Sequence, residues 1–304
     1  MPDVTPPLLP PAKVALLGLG NMGAPMALQL IKAGYQVCGF DISSDARQRF
    51  SSMGGVAASE VTEAVSGADA IITLLPDSKA VRQALDSLIH SVKADCVIIE
   101  MSSSDPVETR TLGRELIGKG FGFIDAPVSG GVRRAVDGTL TVMVGGDSAT
   151  IDRAVPLLQA MGKSIFRTGD LGSGHAMKAL NNYVSAAGLL AAVEAIAIGK
   201  QFGLDPALMT DILNVSTGRN NTTEVKLKQF IISETYNAGF PLKLMAKDVG
   251  IANSLAHAIK VPAPLSDACS QLWMDASNAL GSSADHTAIG KHIAGLKSQK
   301  GDSK

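Results

Sequence analysis

Along the first half of the chain, short aliphatic runs alternate with longer stretches whose apolar residues recur every three or four positions. "KVALLG" (13–18), "QVCGFD" (36–41), "ADAIITLLP" (68–76) and "DCVIIE" (95–100) are such runs, and "GFGFIDAP" (120–127), "TLTVMVGG" (139–146) and "KSIFRTG" (163–169) continue the series. Runs that are apolar almost throughout suit strands buried on both faces. Helices are predicted between them, among others over residues 21–33 and 106–119. Strands alternating with helices define an α/β fold, here a Rossmann-type doubly wound, mostly parallel sheet covered on both sides.

The alternation stops near Gly174. Beyond it the pattern is helical, broken at "GLDP" (203–206), "STGRNN" (216–221), "NAGFP" (237–241), "VPAP" (261–264) and "GSSADH" (281–286). These breaks predict an all-α C-terminal domain of five or six helices. The expected organisation is a flexible proline-rich tail over 1–12, a dinucleotide-binding domain over 13–173 and a helical domain over 174–298, with a fraying polar end. The run "YVSAAGLLAAVEAIAIG" (183–199) is interrupted by Glu194 and by small residues, and it reads as a buried helix rather than a membrane span. It carries too many apolar residues for one buried stripe. A helix apolar nearly all round must be covered on most faces, so a homodimer or homotetramer is expected.

Composition narrows the function classes. The 304 residues are 46% hydrophobic and 18% charged, with a net charge of -1, so there is no basic footprint for nucleic acid. Cys38, Cys96 and Cys269 are widely spaced and odd in number, and the five histidines form no ligand pair. Neither a disulfide framework nor a metal site is expected; a reducing, cytoplasmic setting is. The N-terminal segment has no basic residue before Lys13 and no apolar core of signal-peptide length.

Five stretches carry candidate chemistry. "GLGNMG" places Gly18, Gly20 and Gly23 in G-x-G-x-x-G spacing, with Leu19, Asn21 and Met22 between them, after a strand and at the start of a helix. In that context the first glycine makes the turn, the second admits a pyrophosphate and the third packs helix on strand. The alternative is a turn without a ligand. Asp41 closes the second strand, 18 residues after Gly23, where a carboxylate bonds the ribose 2′-hydroxyl and repels a 2′-phosphate. That favours NAD over NADP; the alternative is a turn or helix-capping residue. Leu75 and Pro76 end the third run as an apolar wall for ribose or adenine, or as plain core. "DAPVSGG" offers Ser129, Gly130 and Gly131 as a hydroxyl and bare amides able to cradle a carboxylate, or simply as a turn.

"GHAMKALNN" (174–182) puts Lys178 and Asn182 one helical turn apart on one face. They form a solvated first turn, or a proton-transfer group with its substrate anchor at the domain junction, where small-molecule sites tend to lie. A free lysine has a pKa of about 10.4 and needs burial or a neighbouring positive charge to act as a base near neutrality.

Taken together and in order, "GLGNMG", "LLPDS", "EMSSSDP", "DAPVSGG", "GSGHAMKALNN" and "FPLKLMAKDVGIA" resemble the β-hydroxyacid dehydrogenases over residues 13–293. That family includes 3-hydroxyisobutyrate dehydrogenase, tartronate semialdehyde (2-hydroxy-3-oxopropionate) reductase, threonate dehydrogenase and succinic semialdehyde reductases. "ILNVSTGRNN" is most similar to the 3-hydroxyisobutyrate branch. The resemblance implies that Lys178 is the catalytic lysine and Asn182 a substrate-binding asparagine. It implies a carboxylate cradle at Ser129, Gly130 and Gly131, a position beside the nicotinamide for Ser103, and closure of Lys247 over cofactor and substrate, with Asp248 following it. Glu100 and Ser103 stand where the family more usually has Asp and Thr. Arg133 and Arg134 follow the cradle, either to assist a second anionic group or as surface residues. The expected activity is hydride transfer between NAD and a short 3-hydroxy acid. The rivals are a semialdehyde reductase, an imine reductase, which typically lacks the lysine, and a non-enzymatic dinucleotide sensor or scaffold.

Overall fold

The computed structural model describes residues 6–296. The chain divides into two compact units between Lys178 and Ala179, six residues into a helix that runs Ser173–Phe202. The change of pattern near Gly174 therefore marks the start of this helix, and the units part within it.

The first unit is built on nine strands: β1 (Lys13–Leu17), β2 (Gln36–Phe40), β3 (Val56–Ala57), β4 (Ala70–Thr73), β5 (Val97–Glu100), β6 (Gly122–Asp125), β7 (Val128–Ser129), β8 (Leu140–Gly145) and β9 (Gly162–Gly169). Their order is β3-β2-β1-β4-β5-β6-β8-β7, with β9 on β8. The six strands from β3 to β6 are parallel, in the 3-2-1-4-5-6 order of a dinucleotide-binding sheet. β8 runs antiparallel to β6 and β7. Only residues 130–139 separate β7 from β8, too few for the crossover that parallel strands need, so the chain turns back on itself. The short strands β3 and β7 lie outside the aliphatic runs and are set by their neighbours.

Alternate residues of the parallel strands feed two cores. Val14, Leu16, Ile72, Ile99 and Ile124 pack on one face with Met26, Leu30, Leu157 and Leu158 from the helices Gly23–Lys32 and Ser148–Met161. Ala15, Leu17, Ile71, Ile98 and Phe123 pack on the other with Val81, Leu85, Leu112 and Leu116 from Ser78–Leu88 and Pro106–Gly118. This two-sided burial is why the runs lack alternation. Residues 6–12 are not a loose tail. Leu8 is buried in the first core, its N–H donates to the Arg153 carbonyl (2.9 Å) and its own carbonyl accepts from the Tyr35 hydroxyl (3.0 Å). Residues 1–5 and the polar end 297–304 lie outside the described residues.

Among the described residues the second unit contains six α-helices and no strand beyond an isolated bridge, Pro241 to Asp285. Its core gathers Leu189, Val193 and Ile196 from Ser173–Phe202, Val249 from Leu242–Ala258, and Cys269 and the fully buried Trp273 from Pro264–Leu280. Ser173–Phe202 is long and apolar enough to cross a bilayer by length and composition; here its buried face supplies this core.

Candidate active site

The glycine loop leaves β1 and enters the helix Gly23–Lys32. Gly18 has φ +104°, and a β-carbon there would be driven into the Leu74 carbonyl just beyond β4. A β-carbon on Gly23 would be driven into the Gly18 carbonyl. Gly20, by contrast, meets nothing within 4 Å. Gly18 thus seats the loop against the exit of β4, Gly23 closes it on itself, and Gly20 leaves it open. The following helix has no side-chain cap, and although the Ala24 N–H donates to the Gly20 carbonyl (3.2 Å), its N-terminus presents the partial positive charge that suits an anion. This is a fit for the pyrophosphate of a dinucleotide.

Asp41 follows β2 and ties that strand to the loop. One carboxylate oxygen accepts from the Leu19 N–H (2.8 Å) and the other from the Ser43 N–H (2.8 Å). The second bond is the turn role that the sequence left open, because Ser43 caps the next helix. Each oxygen keeps a lone pair for another donor. Arg47 donates to the Asp41 carbonyl (2.5 Å) and lies over the Phe40 ring, and Ile42 beside them is 93% exposed.

At the carboxyl end of the sheet, Thr73, Glu100 and Asp125 are register neighbours on β4, β5 and β6. All three are buried. Beyond the strands, the Leu75 N–H donates to Ser102 Oγ (2.9 Å) and the Ser102 N–H to Glu100 Oε1 (2.9 Å), which joins the exits of β4 and β5. Pro76 is exposed and Ser103 half-buried on these exits. Ser129 ends β7, and Gly130 (φ +131°) and Gly131 (φ +69°) turn the chain into the short helix Gly131–Val136, which lacks a side-chain cap. The aliphatic stem of Arg134 lies against Gly130, while Arg133 is exposed.

His175 was not singled out by sequence reasoning. It sits in the first turn of Ser173–Phe202, three residues before Lys178, and is 1% exposed. Its Nε2 is 3.0 Å from the Ser102 carbonyl and 2.7 Å from Glu100 Oε2, and its Nδ1 is 2.9 Å from Thr109 Oγ1 and 3.7 Å from Asp125 Oδ2. Asp125 also accepts from the N–H groups of Gly172 (2.7 Å) and His175 (2.8 Å). A signal existed: "VIIE" and "GFID" are buried strands that end in carboxylates, and a buried carboxylate needs a partner.

Burial by itself would lower the His175 pKa, but the charge of Glu100, its hydrogen bonding and the charge of Asp125 raise it overall. Burial pushes Glu100 up, and the charge and hydrogen bonding of His175, with Ser102, bring it below the ordinary value. Burial raises Asp125, against His175 and the two main-chain donors. Glu100 therefore adds stability above its model-peptide value of 4.5 that fades as pH falls through its folded value. His175 adds stability in full below 6.5 that fades as pH rises through its folded value.

In the second unit, Asn182 Nδ2 donates to buried Asp248 Oδ2 (2.5 Å), and Asn181 Nδ2 donates to Asn182 Oδ1 (3.1 Å). Lys247 Nζ is 3.9 Å from Asp248 Oδ1. The carboxamide of Asn182 is thus oriented by Asp248, the residue that follows Lys247 in the sequence. Lys178 and Asn182 lie one turn apart on a single continuous helix.

A 3-2-1-4-5-6 sheet with a glycine loop open at its second glycine, followed by a helical unit, defines a dinucleotide-binding protein. Residues 13–169 match the NAD binding domain of 6-phosphogluconate dehydrogenase, and residues 172–293 match the family described as NAD-binding of NADP-dependent 3-hydroxyisobutyrate dehydrogenase. The chain is 36% identical to the NAD-dependent L-serine dehydrogenase of Pseudomonas aeruginosa (86% of this chain, 91% of that one). It is 37% identical to the mitochondrial 3-hydroxyisobutyrate dehydrogenase of Rattus norvegicus (86% and 80%). The 3-hydroxyisobutyrate dehydrogenase of Mycobacterium tuberculosis, solved with L-serine, superposes with a TM-score of 0.87 at 31% identity (93% and 99%). The chain belongs to the 3-hydroxyisobutyrate dehydrogenase-like family of β-hydroxyacid dehydrogenases. It is an NAD(P)-dependent oxidoreductase of small hydroxy or oxo acids.

The glycines give a paired test. Gly20→Ala should leave the melting temperature within about 2 °C of the parent, since surface changes move stability by only about 0.5 kcal/mol, yet weaken dinucleotide binding at least tenfold. Gly23→Ala should lower the melting temperature clearly, because a backbone carbonyl must move. Differential scanning fluorimetry with calorimetric titration of NADH reads both; equal behaviour of the two variants would contradict the division of roles.

Proposed function

We propose that the protein oxidises a short 3-hydroxy acid to the corresponding carbonyl acid with NAD, Lys178 acting as general base, and as general acid in the reverse direction. The observation that carries this reading is Lys178 itself, on the helix whose first turn is bonded into the carboxyl edge of the sheet through His175. The two named relatives that act on or hold L-serine agree with a substrate whose hydroxyl is on the third carbon.

In this scheme Ser129, Gly130 and Gly131 hold the substrate carboxylate by a hydroxyl and main-chain N–H groups. Asn182 holds the hydroxyl end, its amide kept in one orientation by Asp248. Lys178 takes the hydroxyl proton as the carbon–hydrogen bond breaks and the carbonyl forms. NAD, when bound, supplies the acceptor for the hydride. Leu75 and Pro76 form an apolar wall for the ribose or adenine, Ser103 lies on the nicotinamide side, and Lys247 closes over cofactor and substrate.

NAD is preferred over NADP in this reading because of Asp41. A 2′-phosphate beside its carboxylate would bring two anions to about 4 Å, about 4 kcal/mol at an effective dielectric of 20 and about 1–3 kcal/mol once exposed and screened. The protein is further proposed to be a homodimer or homotetramer. Leu180, Val184, Ile198 and Phe202 form an exposed apolar stripe on one face of Ser173–Phe202, and Val184, Ile198 and Phe202 are 68%, 70% and 84% exposed. A second copy is the occupant that would cover such a stripe.

Lys178→Ala should lower turnover by about 10²–10⁴-fold, the usual contribution of a general acid–base group, with NADH affinity little changed. Retained turnover on a panel of L-serine, 3-hydroxyisobutyrate and short semialdehydes would make Lys178 a bystander. The kcat/KM ratio for NAD over NADP should be about 10–100 in the parent. It should shrink in Asp41→Asn and fall further in Ile42→Arg, whose side chain has open space. A parent that prefers NADP would overturn the role of Asp41. Multi-angle light scattering should give a dimer or tetramer mass, and a monomer at micromolar concentration would contradict the assembly.

A further inference from the structure

The charged cluster around His175 is the most buried polar assembly among the described residues of the first unit. Thr109 Oγ1 donates its one proton to the Asp105 carbonyl (2.9 Å), so it faces His175 Nδ1 as an acceptor. Nε2 faces two acceptors, the Ser102 carbonyl and Glu100 Oε2. With Thr109 donating to the Asp105 carbonyl, every group that faces a ring nitrogen is an acceptor, an arrangement that suits an imidazolium between two carboxylates. The raised pKa of His175 agrees with this geometry. The groups that face the ring are Glu100 on β5, Asp125 on β6, Thr109 on Pro106–Gly118 and the Ser102 main chain after β5.

Glu100 gathers several segments at once. Oε2 lies 2.7 Å from His175 Nε2 as an ion-pair contact, while Oε1 accepts from the Ser102 N–H (2.9 Å) and the Thr73 hydroxyl (3.3 Å). The pair therefore joins the exits of β4 and β5, which carry Leu75, Pro76 and Ser103, to the first turn of the Lys178 helix. His175 and Lys178 are i and i+3 on that helix and so are surface neighbours.

We propose that the Glu100–His175 ion pair is a positioning element of the reaction: it pins the first turn of Ser173–Phe202 to the carboxyl edge of β4–β6 and thereby sets the place of Lys178. The proposal rests on the role of Lys178 given above. Neither residue is catalytic; both act through the placement of the lysine. An ion pair suits this task better than an apolar contact because it accepts one orientation of the helix turn and penalises any other that leaves a charge unpaired.

The variants are Glu100→Gln, His175→Gln, the double variant and Glu100→Asp, which keeps the charge. In the full-length protein without cofactor, hydrogen–deuterium exchange over 172–180 should quicken at least tenfold in both single Gln variants and stay unchanged over β1. Reductive methylation of Lys178, followed by mass spectrometry, should change in rate at least threefold in the same variants. With L-serine and 3-hydroxyisobutyrate as probes, kcat per folded protein should fall about 10–100-fold, since a misplacement of about 1 Å costs up to about 10²-fold. The NADH dissociation constant should move less than threefold. The double variant should be no worse than the worse single one, and Glu100→Asp should recover most of kcat. If exchange quickens while kcat and Lys178 reactivity stay within twofold, the pair is merely structural and the proposal fails. If exchange is unchanged, the pair is no anchor and it fails as well. If the parent turns over neither probe, the substrate reading falls, and Lys178 methylation and exchange still decide the placement of the lysine. If the Gln variants do not fold, Glu100→Asp decides by the same two measurements: exchange over 172–180 must quicken and the methylation rate of Lys178 must change, both to a smaller extent.

Discussion

Three parallel strands end side by side in Thr73, Glu100 and Asp125, beneath the surface and out of reach of water. Buried carboxylates without partners would be costly enough to unfold a domain of ordinary stability. The first unit meets this constraint with one cation, His175, and with main-chain donors from Ser102, Gly172 and His175 itself. Each of these donors lies on a segment that the function needs in a definite place. The strand exits carry the residues proposed to line the cofactor, and the helix carries Lys178. Satisfying the polar row and organising the site are therefore one arrangement.

The cofactor end follows the same logic with weaker charges. Gly18 and Gly23 leave no room for a β-carbon, so the loop has one shape. Asp41 then fixes that loop to β2 by accepting from Leu19, and fixes the next helix by accepting from Ser43. A single carboxylate serves the turn and still presents acceptor capacity to solvent. The turn role is filled through Ser43, and it leaves room for the ribose contact proposed above. In the second unit Asp248 does the corresponding work for Asn182, orienting a carboxamide whose donor and acceptor ends would otherwise be free to exchange.

The helix Ser173–Phe202 carries three kinds of residue on different parts of its length. Its first turn is polar and bonded into the sheet, its middle feeds the helical core, and a stripe from Leu180 to Phe202 stays exposed and apolar. No one of these demands explains its composition. Together they explain why its apolar residues do not fall into one amphipathic face.

The sequence by itself determined the class of fold and the position of the glycine loop, because both rest on local rules. Strands buried on two faces must be apolar throughout, and a loop that approaches itself as closely as Gly18 and Gly23 do admits only glycine. The family motifs likewise marked Lys178, Asn182 and Asp41 at local spacings. The remaining features depend on residues far apart in the chain. The short strands β3 and β7 exist because neighbours offer them hydrogen bonds, and β8 turns back because too few residues precede it. Leu8 docks because Arg153 and Tyr35 lie beside it. The partner of Glu100 is 75 residues away at His175, and the partner of Asn182 is 66 residues away at Asp248. A buried charge announces in sequence that it needs a counter-charge. Which residue supplies it is a matter of strand order and helix packing, and those emerge only when the chain is folded.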